Sequence, residues 1–393
     1  MRHFCPTGVP QSDVLSRELA GPVTGGLRNR LCIRQSQQAM GIQRVLVLEG
    51  QVPFVHGGAE ILVRQLIGAF KVGGYEAELV SIPFRDYPRD EVLTQAALWR
   101  LIDLSSAAGQ SIDLVIPTKY PNYLVRHPRK VAWLMHQHRV AYELCGTPFS
   151  DFAHTDIDVG LRDRLVQLDT QGLTECAARF TLSETVSARL RQFNGLESQP
   201  LFHPPKLAGQ LRSGPYGDYI FFVSRLEKAK RVDLAIDTML HVDRPLTLLI
   251  AGDGAARVDL QAQITARGLG DRVTLLGRVS DEEIIRLYSG ALAVLFAPYQ
   301  EDYGYVTLEA FHASKPVITA TDSGGPLEFV THGVSGLVAE PTAEALAAAV
   351  RELAGNRQRA AEMGEAGRQV AVAITWEGVV ERLVAAAGAD AVP

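Results

Sequence analysis

From residue 44 onward, short apolar runs alternate with longer stretches in which apolar positions recur every three or four residues. The runs predict strands at 44–48, 77–82, 112–116, 131–135 and 179–183, then at 219–224, 246–251, 273–276, 292–297, 316–319 and 336–338. The longer period predicts helices at 58–72, 90–108, 160–177, 184–194, 231–241, 257–267, 281–289, 306–313 and 342–354. A helical tail follows over 357–383, and its last amphipathic stretch starts at Trp376. Such alternation builds βαβ units and mainly parallel sheets, so the fold class is α/β. The period relaxes between His203 and Asp218, where Pro204-Pro205, Gly209, Ser213-Gly214-Pro215 and Gly217 mark a linker. The expected organisation is a first domain over 40–203, a linker over 204–217, a second domain over 218–372 and a terminal helix over 373–393 that packs back on the first domain. A cleft between two α/β halves is a usual ligand site.

Residues 1–39 lack this period and any signal-peptide apolar core. They read as a flexible extension, or as the product of an upstream start with Met40 the functional one; an ordered arm packed on the body is the alternative. Over 393 residues, 47% are hydrophobic and 21% charged, which suits a globular chain with two sizeable cores. A formal net charge of −5 argues against a general nucleic-acid binder. Cys5, Cys32, Cys145 and Cys176 lie far apart and follow no metal spacing, which points to a reducing, cytoplasmic compartment. No apolar run approaches the ~20 residues that span a bilayer. Arg126, His127, Arg129, Lys130 and Arg139 form a basic cluster near the expected cleft, open to a lipid phosphate or an anionic leaflet as a peripheral contact; a solvated face is the default.

The chemistry gathers at strand ends. Glu301-Asp302-Tyr303-Gly304-Tyr305-Val306-Thr307-Leu308-Glu309 joins the 292–297 strand to a helix. The helix start offers N–H groups and partial positive charge to a phosphate, and Gly304 lets the backbone approach closely. Glu309 can accept from a ribose diol, and Glu301 points into the crevice beyond the strand ends. Arg225 and Lys230 follow the 219–224 strand and suit a diphosphate, Arg225 by a bidentate pair and Lys230 as a compact charge. Taken alone, that stretch is a solvated basic turn. Gly252-Asp253-Gly254 and Gly324-Gly325 signal close backbone approach after strands, although a lone Gly-x-Gly is weak. Gly277-Arg278-Val279-Ser280 precedes a helix that Ser280 caps, and its turn can present main-chain groups to a base. His136 ends the 131–135 strand; His138 could face the crevice instead, and either could be structural. Asp156-Ile157-Asp158 lies in a loop-like stretch away from a strand end, so it reads as a solvated loop or helix start, not a metal site.

The second half resembles the C-terminal domain of glycosyltransferase family 4, retaining sugar-nucleotide transferases of GT-B fold. The Arg225…Lys230 pair, the Glu301…Glu309 pair, Gly304 and Gly324-Gly325 match in order and spacing. In the first half, Gly57-Gly58-Ala59-Glu60 resembles that family's glycine loop, and Tyr123-Leu124-Val125-Arg126-His127-Pro128 with Trp133-Leu134-Met135-His136-Gln137-His138-Arg139 resembles a bacterial subgroup. The likeness covers about residues 44–385. One departure is Phe311-His312-Ala313-Ser314, where Met, Ala and Gly are commoner; Ser314 is small enough to keep close packing.

The resemblance implies two Rossmann-like domains facing across a cleft, and transfer of a sugar from a nucleoside diphosphate sugar to an acceptor hydroxyl with retention. The acceptor would be a glycan, a lipid-linked group or a small molecule. Arg225 and Lys230 would hold the diphosphate without a metal, Glu309 the ribose and Glu301 the transferred sugar. Gly304, Tyr305 and Val306 would offer backbone N–H groups, and Gly57, Gly58, Gly252, Gly254, Arg278 and Val279 would line the donor site. His136 would donate a hydrogen bond near the reacting sugar. No cofactor is expected beyond the donor as co-substrate. Two rivals share the architecture: another GT-B enzyme, such as an epimerase or a pyridoxal-bearing phosphorylase, and a non-catalytic nucleotide-sugar-binding protein.

Overall fold

The computed structural model describes residues 41–54, 57–85, 91–243 and 245–388, so the expectation for residues 1–39 lies outside the described residues. The first domain holds β1 (Arg44–Gln51), β2 (Glu76–Pro83), a short β3–β4 hairpin (Ser106–Ala107, Gln110–Ser111), β5 (Leu114–Pro117), β6 (Val131–Leu134), β7 (Ala178–Thr181) and β8 (Gln199–Pro200). Parallel pairing runs β2-β1-β5 and β6-β7-β8, and a parallel Val115–Lys130 bridge joins the two halves. The second domain carries β9 (Tyr219–Val223), β10 (Thr247–Ala251), β11 (Val273–Gly277), β12 (Ala293–Leu295), β13 (Val317–Ala320) and β14 (Gly336–Ala339) in the order β11-β10-β9-β12-β13-β14, all parallel.

Burial on both sheet faces explains the near-continuous apolar strands. In β9, Ile220 and Phe222 enter one core while Phe221 enters the other, as the two-residue period requires. In β1, Val45 and Val47 face one core and Leu48 the opposite one. The first core also takes in Val379, Val380, Leu383 and Val384 of the helix Trp376–Gly388, which packs on the helix Gly58–Val72 and on β6 of the first domain.

Strand order decides where ligands can sit. Neighbouring crossovers diverge between β1 and β5 in the first sheet and between β9 and β12 in the second. At such switch points the loops part and leave a crevice beyond the carboxyl ends of the strands. The Gly57-Gly58 turn and Lys119 follow the first pair; Arg225, Lys230 and Glu301 follow the second.

Several expectations change. The helix expected over 90–108 ends at Leu101, because the chain reverses in a hairpin with Ala108 at φ 50° and Gly109 at φ 77°. The helix expected from 160 begins at Asp156, capped by the Thr155 hydroxyl, which accepts from Asp158 N–H; the two aspartates are its first turn. The basic cluster does not form one surface at the cleft. Arg126, His127 and Arg129 lie at the N-terminal end of β6, whereas His136 follows its C-terminal end. Lys130 is fully buried and donates to the carbonyls of Tyr123, Val125 and Gly172. Among the described residues, no helix is long and apolar enough to cross a membrane.

Candidate active site between the domains

A cavity of about 430 Å³ opens between the two switch points. On the second-domain side, Tyr299 N–H donates to the Ala229 carbonyl (2.8 Å), tying the loop after β12 to the turn after β9. That tie brings Lys230 Nζ to 2.5 Å from Glu301 Oε2. Both side chains are mostly buried and line the cavity. Arg225 also lines it but is the more open group, 60% exposed and paired with Glu227 at 2.8 Å. Gly304, at φ 85°, caps the helix Tyr305–His312, whose first two residues, Tyr305 and Val306, face the cavity. A helix start aimed at a cavity that Arg225 and Lys230 also line favours an anion there.

Glu309 lies one turn further along this helix and does not line the main cavity. Its Oε2 accepts from the Tyr288 hydroxyl (2.7 Å). Burial pushes its carboxyl up to about 7, with Asp281 adding to the rise while the Tyr288 bond and Lys206 oppose it. Arg278 is largely exposed, 3.6 Å from Asp253, and Val279 packs at the edge of the core; neither touches the cavity.

The glycine pairs approach their own chain. A Cβ on Gly252 would lie 1.8 Å from the Ser224 carbonyl oxygen, and one on Gly254 2.6 Å from that of Leu226. These two glycines therefore let the β10 loop seat the turn that carries Arg225. Gly324 and Gly325 likewise admit the backbone of Glu301 and Tyr303, and Glu301 N–H donates to the Ser323 carbonyl (2.9 Å). Ser314 needs more than small size. It sits at φ 53°, a region glycine enters freely, which accounts for glycine being commoner there.

From the first domain, Glu60 Oε2 accepts the Gly57 N–H (2.8 Å) and Oε1 faces Lys119 Nζ (3.4 Å), both at the cavity wall. Burial opposes the Glu60 charge, but Lys119 and the backbone N–H groups outweigh it and hold its carboxyl below the ordinary value. Gly58 lies under the Tyr305 ring, at 2.9 Å from where its Cβ would be, so this glycine admits the opposite domain.

His136 lines the cavity, while His138 packs edge-on among Phe84 and Phe152 and beside Tyr120. Burial lowers the His136 pKa, so the ring is neutral, although Asp302 pulls the other way. Its Nδ1 lies 2.6 Å from the Gln137 carbonyl. A carbonyl only accepts, so Nδ1 carries the proton and Nε2 is left as an acceptor. In that tautomer Nε2 would accept from a sugar hydroxyl, where the resemblance implies a donor.

The residues that sequence reasoning missed join the domains. Asp302 is held by Arg139 and Arg189, and the Glu328 carboxylate accepts from the Glu184 and Thr185 N–H groups (2.8 and 3.0 Å). His203, fully buried, stacks between Tyr303 and Trp376 with Trp133 edge-on. Among the described residues, no group of three or more His, Cys, Asp or Glu is placed to hold a metal ion.

Comparison with known proteins bears on the second domain's family likeness and on the overall fold. The family described as glycosyl transferases group 1 matches residues 209–370. The chain is 33% identical over 162 residues to alpha-1,3/1,6-mannosyltransferase ALG2 of Homo sapiens, covering 37% of this chain and 39% of that protein. It is also 33% identical over 163 residues to alpha-D-kanosaminyltransferase of Streptomyces kanamyceticus, covering 40% of this chain and 37% of that protein. The matched parts thus span about two fifths of these relatives. Among solved structures, sucrose-phosphate synthase of Thermosynechococcus elongatus superposes with a TM-score of 0.68 at 19% identity, covering 86% of this chain and 97% of that one. Anabaena HepE, solved with UDP and glucose, gives 0.62 at 18% identity, covering 86% and 98%. The two-domain fold is therefore GT-B, and residues 209–370 are similar to the glycosyl transferases group 1 family.

Proposed function

We propose that this chain is a retaining glycosyltransferase that moves a sugar from a nucleoside diphosphate sugar to an acceptor hydroxyl and needs no metal. The observation that carries the reading is the Lys230–Glu301 pair, with Arg225 beside it, on the second-domain wall of one interdomain cavity at the switch point of that domain's sheet. Lys230, Arg225 and the start of the helix Tyr305–His312 take the diphosphate charge that grows as the bond to the sugar breaks. Glu301 faces the sugar, where positive charge develops. Glu309 takes the ribose, and His136 Nε2 accepts from a sugar hydroxyl.

Retention is taken from the family resemblance, and the carboxylates fit a route to it without a covalent sugar–enzyme intermediate. Glu60 is committed to Gly57 and Lys119, and Asp302 to two arginines, so neither is placed as a nucleophile. The acceptor oxygen then attacks the anomeric carbon from the face the diphosphate leaves. The carbon–oxygen bond to the phosphate breaks, and the acceptor proton passes to a leaving phosphate oxygen. The structurally similar Anabaena HepE has been solved with UDP-glucose, which supports a nucleoside diphosphate sugar as donor here. The reading takes the cytoplasm as the place of action and a glycan, lipid-linked or small-molecule hydroxyl as acceptor.

A thermal-shift panel of UDP- and GDP-sugars tests the donor, because binding to the native state raises its apparent stability. A panel in which no nucleotide sugar shifts the melting temperature sinks the reading. Transfer in excess chelator should keep nearly full rate; loss restored by magnesium or manganese would overturn metal independence.

The Glu309 environment adds a pH prediction. Its folded pKa is raised, so the carboxylate ionises only as pH rises through about 7. A ribose hydroxyl donates best to the ionised form. Nucleoside diphosphate affinity should therefore rise about tenfold from about pH 6 to about pH 8, beyond the part due to the ligand's own phosphate. Glu309→Gln, measured by calorimetry across the same range, should keep only the ligand's part. An equal rise in both proteins would remove Glu309 from ribose binding.

A further inference from the structure

Both chain neighbours of Glu301 are held by the opposite domain. Arg139, just past the end of β6, directs one guanidinium nitrogen to the Asp302 carboxylate (3.2 Å) and another to the Gln300 carbonyl (2.8 Å). Arg189, on the helix Glu184–Asn194, repeats the pattern: one nitrogen donates to Asp302 and another to the same Gln300 carbonyl (2.9 Å). Glu143 backs both arginines, accepting from Arg139 Nε at 2.5 Å and lying 3.2 Å from Arg189. Gln300 sits at φ 48°, a left-handed conformation that a residue with a side chain rarely takes without support. Its carbonyl is the atom on which both guanidiniums converge.

We propose that Arg139 and Arg189 are positioning residues which, by fixing the two neighbours of Glu301, aim its carboxylate into the cavity. The sugar half of the site is then assembled only where the domains meet. The diphosphate half, Arg225 and Lys230, stands on the second domain alone. This rests on the reading of Glu301 as the sugar-facing carboxylate.

Ordinary interface ion pairs would not converge in this way. The Glu328 cap and the stacked Phe149–Tyr299 pair already hold the domains together without touching residues 300–302. The planar fork of arginine can bridge a carboxylate and a carbonyl at once, which a lysine ammonium does with less geometric control. Removing one arginine also leaves half-buried charge, so lost activity alone proves little. The informative readout is which step is lost.

The test uses the full chain with Arg189→Met, Arg189→Lys and Asp302→Asn, and with UDP, GDP, UDP-glucose and GDP-mannose as probes. For the nucleotide that wild type binds, Arg189→Met should keep Kd within about threefold. The kcat for consumption of the matching sugar nucleotide should fall about 50-fold or more, with KM within about threefold. Arg189→Lys, which keeps the charge but not the fork, should lose about tenfold in kcat. Should Arg189→Met fail to fold, Arg189→Lys and Asp302→Asn must show the same split. Unchanged kcat overturns the proposal, and so does nucleotide affinity that falls in step with kcat. A wild type that turns over neither sugar nucleotide counts against the proposed function instead. Amide exchange of the ligand-free chain then tests the clamp: faster exchange over 299–303 in Arg189→Met, with 225–231 unchanged, supports it, and no change over 299–303 overturns it.

Discussion

Lys230→Ala is expected to lower kcat/KM for the nucleoside diphosphate sugar by about 1,000-fold, and Arg225→Ala by about 100-fold, with both proteins folded. The order follows from their surroundings. Lys230 is mostly buried and sits on Glu301, so its loss removes the proposed diphosphate contact and also leaves a carboxylate without its partner inside the cavity. An unpaired anion there repels the very group the site must hold. Arg225 is more open and leans on Glu227, so its removal costs one charge-assisted contact and leaves the cavity wall intact. Initial-rate kinetics with circular dichroism as the folding control measure both. Near wild-type turnover in either variant would take that residue out of the diphosphate role.

Much of this arrangement is legible in the sequence because it is local. A strand end, a turn and a helix start are consecutive residues, so the segment from Glu301 to Glu309 carries its own geometry, and apolar runs locate the strands that aim it. Strand order is not local, yet it follows in outline from the alternation of strands and helices. What escapes is of two kinds. Some backbone conformations contradict composition: Ala108 at φ 50° turns a hairpin inside an alanine-containing stretch that reads as helix, with Gly109 as the one available signal. Other features depend on residues far apart in the chain. Arg139 and Asp302 are separated by 163 positions, and Arg189 and Asp302 by 113. Nothing in the spacing of either arginine distinguishes it from a solvated surface charge. Lys130 shows the same limit from the other side, since a lysine in a basic run reads as surface and is in fact fully buried among carbonyls.

The glycines show how a correct local signal can carry an incomplete reason. Gly252, Gly254, Gly324 and Gly325 do mark close approach, as their positions after strands suggest. The partner in each case is the chain's own backbone, at Ser224, Leu226, Glu301 and Tyr303. Their bearing on the site is therefore indirect: they seat the two loops that present Arg225 and Glu301. His136 is a similar case. Its place at the end of β6 is readable, but the acceptor role proposed for it rests on the Gln137 carbonyl beside Nδ1 and on burial, which only the fold supplies.

The sharpest separation lies between the two glutamates. Glu301→Gln should lower kcat by about 100-fold while leaving nucleoside diphosphate affinity within a few-fold, because in the proposed function its carboxylate faces the sugar, where charge develops only as the bond to phosphate breaks. The amide keeps the volume and loses the charge. It also frees Lys230, so any change in nucleotide affinity should be toward tighter binding. Glu309→Gln should do the opposite. Its carboxylate lies a turn into the helix, outside the main cavity and bonded to the Tyr288 hydroxyl. A ribose contact there is alike in the ground and transition states, so its loss should raise donor KM and weaken the free nucleoside diphosphate about tenfold, with kcat nearly kept. Calorimetric titration of UDP or GDP into both variants, beside steady-state kinetics, decides the assignment. If Glu301→Gln loses nucleotide affinity and Glu309→Gln keeps it, the two roles are exchanged. In that case the Arg139 and Arg189 forks would be holding a nucleotide-binding residue, and Arg189→Met would lose Kd rather than kcat, so the two experiments check each other.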